Sequence, residues 1–422
     1  MPTTSSFHVS GGQIIGPNGQ PFKAQGVDIL ESTLGSVVGN ASGGALLAEF
    51  PNTNFVRIAM ESGYNSYRDP AFVNAVNWLT AKGIVVEIGN YDAPAVSVAT
   101  GAQLTDEVNW YSALATIYKN NPNVWFSTDN EPEDTYAGLP AGAITAEHVA
   151  VYNAIRATGN TSMIGLEATD SRTATGLNAS AYASMTNVHW EEHYYNWMSN
   201  NSTDLATNQN QLTSNIADVQ SIHSADGVVP VIVGEFGNAT DGMNIDVGGT
   251  QTVQAVLNVS PQYSGWSSWL YYWPAALGGT NADQMVNEST GTLTAYGQQI
   301  AGAMPKSGAP TGGGTTTPPT SPLPASPDGT KITSAAGKAI IDASGNSWTL
   351  VQSASNGLQV AVNGVVDTST ANVQLLEYLG GKMLQENTAG NWYSGPGPQG
   401  PWSQTTAPAG STPGTGDRKS VV

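Results

Sequence analysis

Short apolar runs alternate with amphipathic helical stretches along most of the chain. The apolar runs are rich in β-branched and aromatic residues, which suits buried strands, and the alternation is typical of a parallel sheet covered by helices. Eight of these runs are predicted to be strands: Phe22–Ile29, Asn54–Met60, Ile84–Asn90, Val124–Glu131, Met163–Glu167, Asn187–Tyr195, Val228–Phe236 and Trp266–Trp273. Eight strand–helix units over about 280 residues predict a (β/α)8 TIM barrel, whose functional side chains lie at the C-terminal ends of the strands.

Residues that start and stop helices lie between the predicted strands. The clearest helix has Asp69 as its N-cap, Pro70 at its first position and Gly83 just after its last residue. Further helices are predicted over residues 104–118 and 282–303. The helices therefore fall where a barrel of alternating strands and helices needs them.

The N-terminal segment predicts a hairpin. Two short apolar runs, at residues 7–9 and 13–15, are joined in this prediction by a turn at 17–21 that contains Asn18-Gly19. Asn-Gly favours the positive φ angles of tight turns. We expect the hairpin to cover one end of the barrel.

The composition changes after the barrel pattern ends. Residues 1–304 carry that pattern, and residues 305–327 are rich in Pro, Thr and Gly, which predicts a semi-extended linker without a core. Residues 328–406 contain short strands with turn signals and predict a small all-β accessory module. The last stretch, 407–422, is predicted to be a disordered tail, in which 417–422 resembles the in-frame translation of a sequencing adapter.

Five aromatic side chains of the predicted β module have two open interpretations. They could stack on sugar rings, as in carbohydrate-binding modules, or fill the core of a small domain. These residues are Trp348, Tyr378, Trp392, Tyr393 and Trp402. Whether the module binds carbohydrate stays open at the level of sequence.

Composition narrows the classes of partner. The 422 residues include 13 basic and 32 acidic ones, and the formal net charge of −19 repels nucleic acid and anionic membranes. Charged residues make up only 11% of the chain, which is rich instead in Gly, Ser, Thr, Asn and aromatic residues. This composition suits a secreted protein that faces neutral, hydroxyl-rich ligands, so we expect an extracellular monomer.

Targeting and covalent features add little to this expectation. The N-terminus lacks the basic and apolar regions of a signal peptide, and no apolar run reaches transmembrane length. The sequence contains no cysteine, so disulfides and zinc–thiolate sites are excluded.

Two glutamates follow apolar runs of the predicted barrel. Glu131 lies between Asn130 and Pro132, and Pro132 ends the strand because it has no N–H to donate; Glu235 lies between Gly234 and Phe236. Either glutamate alone would be interpreted as a solvated surface charge. Together they suit glycoside hydrolysis, in which one carboxyl group protonates the leaving oxygen and the other attacks the anomeric carbon or activates water.

At these two motifs the chain resembles the cellulase-like glycoside hydrolases of family 5 and their clan, over about residues 12–303. The resemblance implies a retaining endo-β-glycosidase that needs no metal or organic cofactor, with Glu131 as acid and then base and Glu235 as nucleophile. Their carboxyl groups are then expected about 5–5.5 Å apart. The implied substrate is a β-1,4-linked polysaccharide, with β-1,4-glucan favoured and β-mannan close behind.

Five further residues match positions of the family's site: Arg57, Asn130, His193, Tyr195 and Trp269. The resemblance implies that Arg57 lies beside the nucleophile, that Tyr195 donates a hydrogen bond to it, and that Asn130 binds the sugar 2-hydroxyl. His193 is expected to line the sugar subsite, and Trp269 to form its aromatic floor.

The same roles lead to an expectation about ionisation. Arg57 should lower the pKa of the nucleophile Glu235 and keep it ionised. Burial and the charge of Glu235 should raise the pKa of Glu131, which has to carry a proton to act as the acid.

One position departs from the family pattern. The family usually has a histidine just past strand 3, where this sequence has Gly89. We expect Asn90 or Tyr91 to cover that corner of the site.

Other classes of protein compete with this interpretation. The run from His189 to His193 matches the His-x-x-Glu-His motif of zinc peptidases, but that chemistry needs a helix and the flanking residues favour a strand. A non-catalytic carbohydrate-binding barrel would keep Trp269 and need neither glutamate. The sequence has no Gly-x-Ser-x-Gly elbow and no phosphate-binding glycine motif, which argues against serine hydrolysis and nucleotide cofactors.

Overall fold

The structure is a computed structural model, and it describes residues 6–34, 44–61, 67, 69–91, 98–133, 139–239, 244–271, 281–287, 291–304, 325–334, 339–343, 346–353, 356–362, 365–395 and 402–408. The chain separates into two compact units, of which the first contains a barrel and the second a C-terminal β module.

Eight parallel strands close into a barrel. They are numbered here strand 1 to strand 8 in chain order: Ala24–Leu30, Phe55–Met60, Val85–Asn90, Val124–Asp129, Ile164–Glu167, Val188–Tyr194, Val231–Phe236 and Gly265–Ser268. Each strand pairs with its neighbour in sequence, and strand 8 pairs with strand 1 to close the ring. The predicted (β/α)8 barrel is confirmed. Strand 8 ends at Ser268, earlier than expected, and residues 272 and 273 lie outside the described residues.

Helices cover the barrel between its strands. The α-helices in the described part of the chain are Gly44–Glu49, Pro70–Ala81, Gly101–Ile117, Ala143–Ala157, Ala179–Tyr182, Leu205–Val219, Gly249–Val259 and Ala295–Ala303, and the 3-10 helices are Glu31–Thr33, Asn196–Ser199 and Ser260–Gln262. Asp69 caps the second α-helix as predicted, because its Oδ1 accepts a hydrogen bond from the Ala71 N–H at 2.7 Å.

The predicted helix over residues 282–303 is wrong in its first half. Val286–Asn287 pairs with Thr292–Leu293 as a short hairpin, and the helix begins only at Ala295. Thr294 sets this start, since its side chain accepts a hydrogen bond from the N–H of Gly297. A second short hairpin is formed by His223–Ser224 and Gly227–Val228.

The N-terminal hairpin is confirmed, but its turn is not the predicted one. His8–Ser10 pairs with Gln13–Ile15, and the loop between them is Gly11-Gly12, with φ of 59° and 75°. Two consecutive glycines adopt these angles without steric cost, as a two-residue hairpin loop requires. The segment 17–21 forms a separate turn, in which the Gly16 N–H donates to the carbonyl of Gln20.

An aromatic cluster closes the N-terminal end of the barrel under this hairpin. Phe7, Phe22 and Phe55 surround Trp125 edge-on, with ring centroids 5.0, 5.5 and 5.8 Å from it. All four side chains are buried. The hairpin therefore covers the end of the barrel opposite to the C-terminal strand ends.

The second unit is all-β, as predicted. One antiparallel sheet contains Thr330–Ile332, Val373–Leu379, Lys382–Asn387, Trp392–Gly395 and Ser403–Thr405, and the other contains Ile340–Ile341, Ser347–Ser353, Gly357–Val362 and Val365–Val366. Trp348 and Tyr378 belong to its main hydrophobic core, and Trp392 is buried in a second cluster. These three rings therefore serve as core. Tyr393 and Trp402 are only half-buried.

Candidate active site

Arg57 is the charged centre of the C-terminal end of the barrel. It points inward from strand 2 and is only 1% exposed. Four carboxylates approach its guanidinium: Glu191 at 2.5 Å, Glu167 at 2.9 Å, Glu235 at 3.1 Å and Asp28 at 4.0 Å. The predicted contact between Arg57 and Glu235 is therefore present in the structure.

Glu235 is held on both carboxylate oxygens. Arg57 Nη1 donates to Oε2 at 3.1 Å, and the Tyr195 hydroxyl donates to Oε1 at 2.9 Å. The register of strand 7 against strand 6 shifts between Val233 and Glu235, and such a bulge re-aims a side chain. Gly234 allows this packing, because a Cβ there would lie 2.3 Å from Cγ of Glu191.

Glu131 is presented by a turn beyond strand 4. The strand ends at Asp129, two residues earlier than predicted, and Glu131 itself has φ of 47°. This left-handed conformation costs a non-glycine residue about 1–3 kcal/mol. The surrounding structure compensates, since the Glu131 N–H donates to Glu167 Oε2 at 2.6 Å. The Glu131 side chain is 38% exposed, so its carboxyl group can reach a ligand above the barrel.

His193 lies between the two glutamates. Its Nδ1 is 3.0 Å from Glu131 Oε1 and 3.9 Å from Glu235 Oε2. One ligand atom from each of these three residues lies within 4.8 Å of the other two. Burial disfavours charge on His193, but the carboxylates around it, led by Glu167, raise its pKa well above the usual range.

The pKa shifts of the two glutamates run opposite to the expected directions. Burial raises the pKa of Glu235, and His193 and Arg57 offset this only in part. Burial also acts to raise the pKa of Glu131, but the hydrogen bond and positive charge of His193, followed by Arg57, outweigh it and lower that pKa. For Glu131 the expectation was wrong because it placed His193 at the sugar subsite and not against this carboxylate; for Glu235 it was wrong because the effect of burial exceeds that of Arg57.

The structure shows the surroundings of Asn130 and of Gly89, the position at one corner of the site where the family usually has a histidine. Arg57 Nη2 donates to the Asn130 Oδ1 at 2.6 Å. A Cβ at Gly89 would lie 2.5 Å from the Ser127 hydroxyl, so a side chain at this position would require Ser127 to move.

Tyr91, and not Asn90, covers this corner. The Asn90 amide turns away and donates to Asp129 Oδ1 at 2.6 Å. The Tyr91 ring stacks on Trp269, with ring centroids 5.7 Å apart and an interplanar angle of 19°. Because Tyr91 follows the C-terminal end of strand 3, Trp269 lies at the same end of the barrel as the two glutamates.

The zinc-peptidase interpretation of His189 and His193 is wrong. Both histidines lie on strand 6, where alternate side chains share a face, and not on a helix. His189 Nε2 is 3.1 Å from Glu87 Oε2, deeper in the barrel, whereas His193 contacts Glu131.

Several groups in the described residues have the donor atoms for a metal ion. Four clusters bring three carboxylate or imidazole ligand atoms within 4.8 Å of one another. Three of them include Glu191 or His193, so a neighbouring cation already offsets part of their charge. The fourth consists of Glu107, Asp129 and Glu147, and burial raises the pKa of each of these carboxyl groups.

Sequence reasoning missed Asp28, Glu167 and Glu191. Each is fully buried in the barrel and lies in the network around Arg57. A signal for them exists, because a charged residue inside an apolar strand has to be paired when the strand is covered on both faces. Glu191 also lies two residues before His193, which places both on the same face of strand 6.

A barrel with two carboxyl groups meeting at the ends of strands 4 and 7 is the arrangement of a glycoside hydrolase. The family model for cellulases, glycosyl hydrolase family 5, matches residues 16–272, which is more than half of the chain. The chain belongs to this family and is a glycoside hydrolase.

Solved structures of similar fold agree with this family. A structure titled cellulase Cel5C_n aligns with 17% identity and a TM-score of 0.56, covering 72% of this chain and 93% of its own. The β-glucanase SdGluc5_26A of Saccharophagus degradans, solved with cellotetraose, has 15% identity, a TM-score of 0.54 and coverages of 71% and 92%. A β-mannanase of Thermomonospora fusca, solved with mannotriose, has 18% identity, a TM-score of 0.51 and coverages of 71% and 94%. At these identities the likeness concerns the fold.

A search of curated protein sequences finds no match. Among the helices that the structure describes, none combines the length and the apolar character needed to cross a membrane.

Proposed function

We propose that the protein is a retaining endo-β-glycosidase that hydrolyses a β-1,4-linked polysaccharide. The observation that carries this proposal is the closeness of Glu131 and Glu235, which have carboxylate oxygens within 4.8 Å of each other. Retaining enzymes hold their carboxyl groups about 5–5.5 Å apart, whereas inverting enzymes leave about 6.5–9.5 Å for a water molecule. The closest oxygens of Glu131 and Glu235 are nearer to each other than the carboxyl groups of an inverting site, which supports direct attack by a carboxylate.

In this mechanism, a Glu235 oxygen attacks the anomeric carbon while Glu131 transfers its proton to the leaving glycosidic oxygen. The glycosyl–enzyme ester is then broken by water, which gives a proton to Glu131 as it attacks the same carbon. Arg57 and Tyr195 orient the Glu235 carboxylate, because each donates to one of its oxygens. No step requires a metal or an organic cofactor.

The substrate we favour is β-1,4-glucan, with β-mannan as the second candidate. Structures of similar fold include a β-glucanase solved with cellotetraose and a β-mannanase solved with mannotriose, so the family supports both. Tyr91 is half-buried and stacks on Trp269, which is only 8% exposed, so Tyr91 is the ring of this pair that offers more aromatic surface to the C–H face of a pyranose. We assign Asn130, which precedes Glu131 in the chain, to binding of the sugar 2-hydroxyl.

The chain organisation we propose is a catalytic domain over residues 1–304, a linker over 305–327 and a β accessory module over 328–406. The Pro-, Thr- and Gly-rich composition of the linker and the separate core of the module support this division. Limited proteolysis that cuts first inside 305–327 would agree with it, and a first cut inside either domain would not. A polysaccharide substrate also fits the proposed secretion.

The test is release of reducing sugar from a soluble cellulose derivative and from galactomannan, side by side, with Glu235→Gln as the blank. The variant replaces one carboxylate oxygen with an NH2 group of similar size. We therefore expect an intact fold by circular dichroism and no turnover. Wild-type activity on one polymer that this variant loses identifies the substrate and the nucleophile. Full activity of the variant would contradict the role of Glu235.

A further inference from the structure

We propose that Glu167 is a positioning residue that fixes the backbone of Glu131 and thereby aims its carboxyl group. This inference rests on the proposed role of Glu131 as the acid and base. Glu167 is the last residue of strand 5 and is fully buried. Because it is fully buried, it would act through its neighbours, which are Glu131 and also His193, whose Nε2 lies 3.6 Å from Glu167 Oε2.

Both carboxylate oxygens of Glu167 are engaged. Oε1 accepts from Arg57 Nη2 at 2.9 Å. Oε2 accepts from the backbone N–H of Glu131 at 2.6 Å and from the Ser171 hydroxyl at 2.7 Å. Three donors therefore converge on one side chain, and only a group with two acceptor oxygens can satisfy them all.

The contact with Glu131 matters because of the backbone at that residue. With φ of 47°, Glu131 is in a conformation that a non-glycine residue keeps only when its surroundings hold it there. Its N–H would point into a buried region without an acceptor if Glu167 were absent. The hydrogen bond to Glu167 thus links the direction of the Glu131 side chain to the end of strand 5.

The turn after strand 5 reinforces the same region. The Asp170 N–H donates to the carbonyl of Pro132 at 2.9 Å, and the His193 N–H donates to the carbonyl of Ser171 at 2.9 Å. Asp170 and Ser171 both have φ of 51°. The end of strand 5 therefore supports the Glu131 turn on one side and His193, which contacts the Glu131 carboxylate, on the other.

The informative variant is Glu167→Gln. Glutamine keeps the size of the side chain but has one acceptor oxygen, which the Arg57 cation attracts more strongly than a neutral N–H does. Its amide N–H would then face the N–H of Glu131, donor against donor. Ser171→Ala is the matched control, because it removes another hydrogen bond to the same oxygen and leaves the anchor of Glu131 in place.

The measurement compares aryl glycosides of the sugar found in the polysaccharide assay. A phenyl glycoside needs a proton from the acid to release its phenol, whereas a dinitrophenyl glycoside does not. If Glu167 aims Glu131, Glu167→Gln lowers kcat/KM about 100-fold for the phenyl glycoside and less than about threefold for the dinitrophenyl glycoside. Ser171→Ala is expected to stay close to wild type with both.

A purely structural role gives a different pattern. Equal losses with both leaving groups, or a lower unfolding midpoint with unchanged kinetics, would overturn the proposal. If Glu167→Gln does not fold, Glu167→Asp serves in its place, because the shorter carboxylate also withdraws from the Glu131 N–H and should show the same dependence on the leaving group.

A separate variant distinguishes failure of this inference from failure of the proposed function. Glu131→Gln has to show the leaving-group dependence if Glu131 is the acid. Should Glu131→Gln lack it, the assigned role of Glu131 is wrong. Should Glu131→Gln show it and Glu167→Gln not, only the role of Glu167 is wrong.

Discussion

His193 contacts Glu131 directly, with 3.0 Å between Nδ1 and Oε1. Surrounding carboxylates, with Glu167 first, favour the charged form of this imidazole against the effect of its burial and raise its pKa. The charged ring in turn opposes the effect of burial at both glutamates of the site, so that the pKa of Glu131 is lowered and that of Glu235 is raised less than burial alone would raise it. We therefore expect His193 to control the pH range in which Glu131 carries a proton.

Replacing His193 tests this control of the pH range. Because His193 acts to lower the pKa of both glutamates, His193→Asn should raise both. Glu235 then ionises, and Glu131 loses its proton, at higher pH, so both limbs of the kcat/KM profile should move upward by about one pH unit. The measurement is the pH profile on the soluble polymer.

His189→Asn is the control for that experiment. His189 lies on the same face of strand 6 but contacts Glu87, not Glu131. The kcat/KM profile of His189→Asn should rise and fall at the same pH values as that of the wild type. An unshifted profile for His193→Asn in a folded protein would show that the imidazole does not control the two glutamates.

The positions of the strands could be predicted from the sequence, but the directions in which the Glu131 and Glu235 side chains point could not. Seven of the eight strands lie within three residues of the predicted runs, since their apolar and β-branched residues mark them locally. Strand 4, however, stops at Asp129, and Glu131 is aimed by a left-handed turn. Glu235 is aimed by a bulge at Gly234. Both features depend on packing against other strands, which no local pattern reports.

The N-terminal hairpin gives a prediction at this scale. Phe7 packs edge-on against Trp125 at the end of the barrel opposite to the glutamates. Phe7→Ala should lower the free energy of unfolding by about 3 kcal/mol, because it leaves a cavity in an aromatic cluster. The rate constant kcat should stay unchanged. Urea unfolding and initial rates check this, and a lower kcat with unchanged stability would contradict the separation of the two ends.

At the scale of the whole molecule, the barrel buries more acid than base. Burial raises the pKa of Glu87 to about 7 and of Glu167 to about 8, and it raises the pKa of Asp283, which accepts hydrogen bonds from Asn238 and Ala239, to about 8. Glu191 is the exception. Burial opposes its ionisation, but Arg57 and the neighbouring histidines lower its pKa to about 2.

These shifts predict how stability depends on pH. The carboxyl groups with raised pKa values favour the folded state below their unfolded pKa of about 4, and this contribution is lost as pH rises through 7 to 8. The contribution of Glu191 is present above about pH 4 and is lost as pH falls toward 2. The midpoint of thermal unfolding should therefore be highest near pH 5 and decrease toward pH 9. A midpoint that is constant or increases over that range would contradict the burial of these charges.

The amino-acid sequence was sufficient to predict the (β/α)8 barrel, the all-β character of the second unit and the two motifs that contain Glu131 and Glu235. These features are local, because strand runs, helix caps and short motifs are contiguous in the chain. The groups that surround Arg57, and the contact between His193 and Glu131, could be known only from the folded barrel. Those residues come from separate strands, so their distances, and the pKa shifts that depend on them, exist only after the barrel has closed.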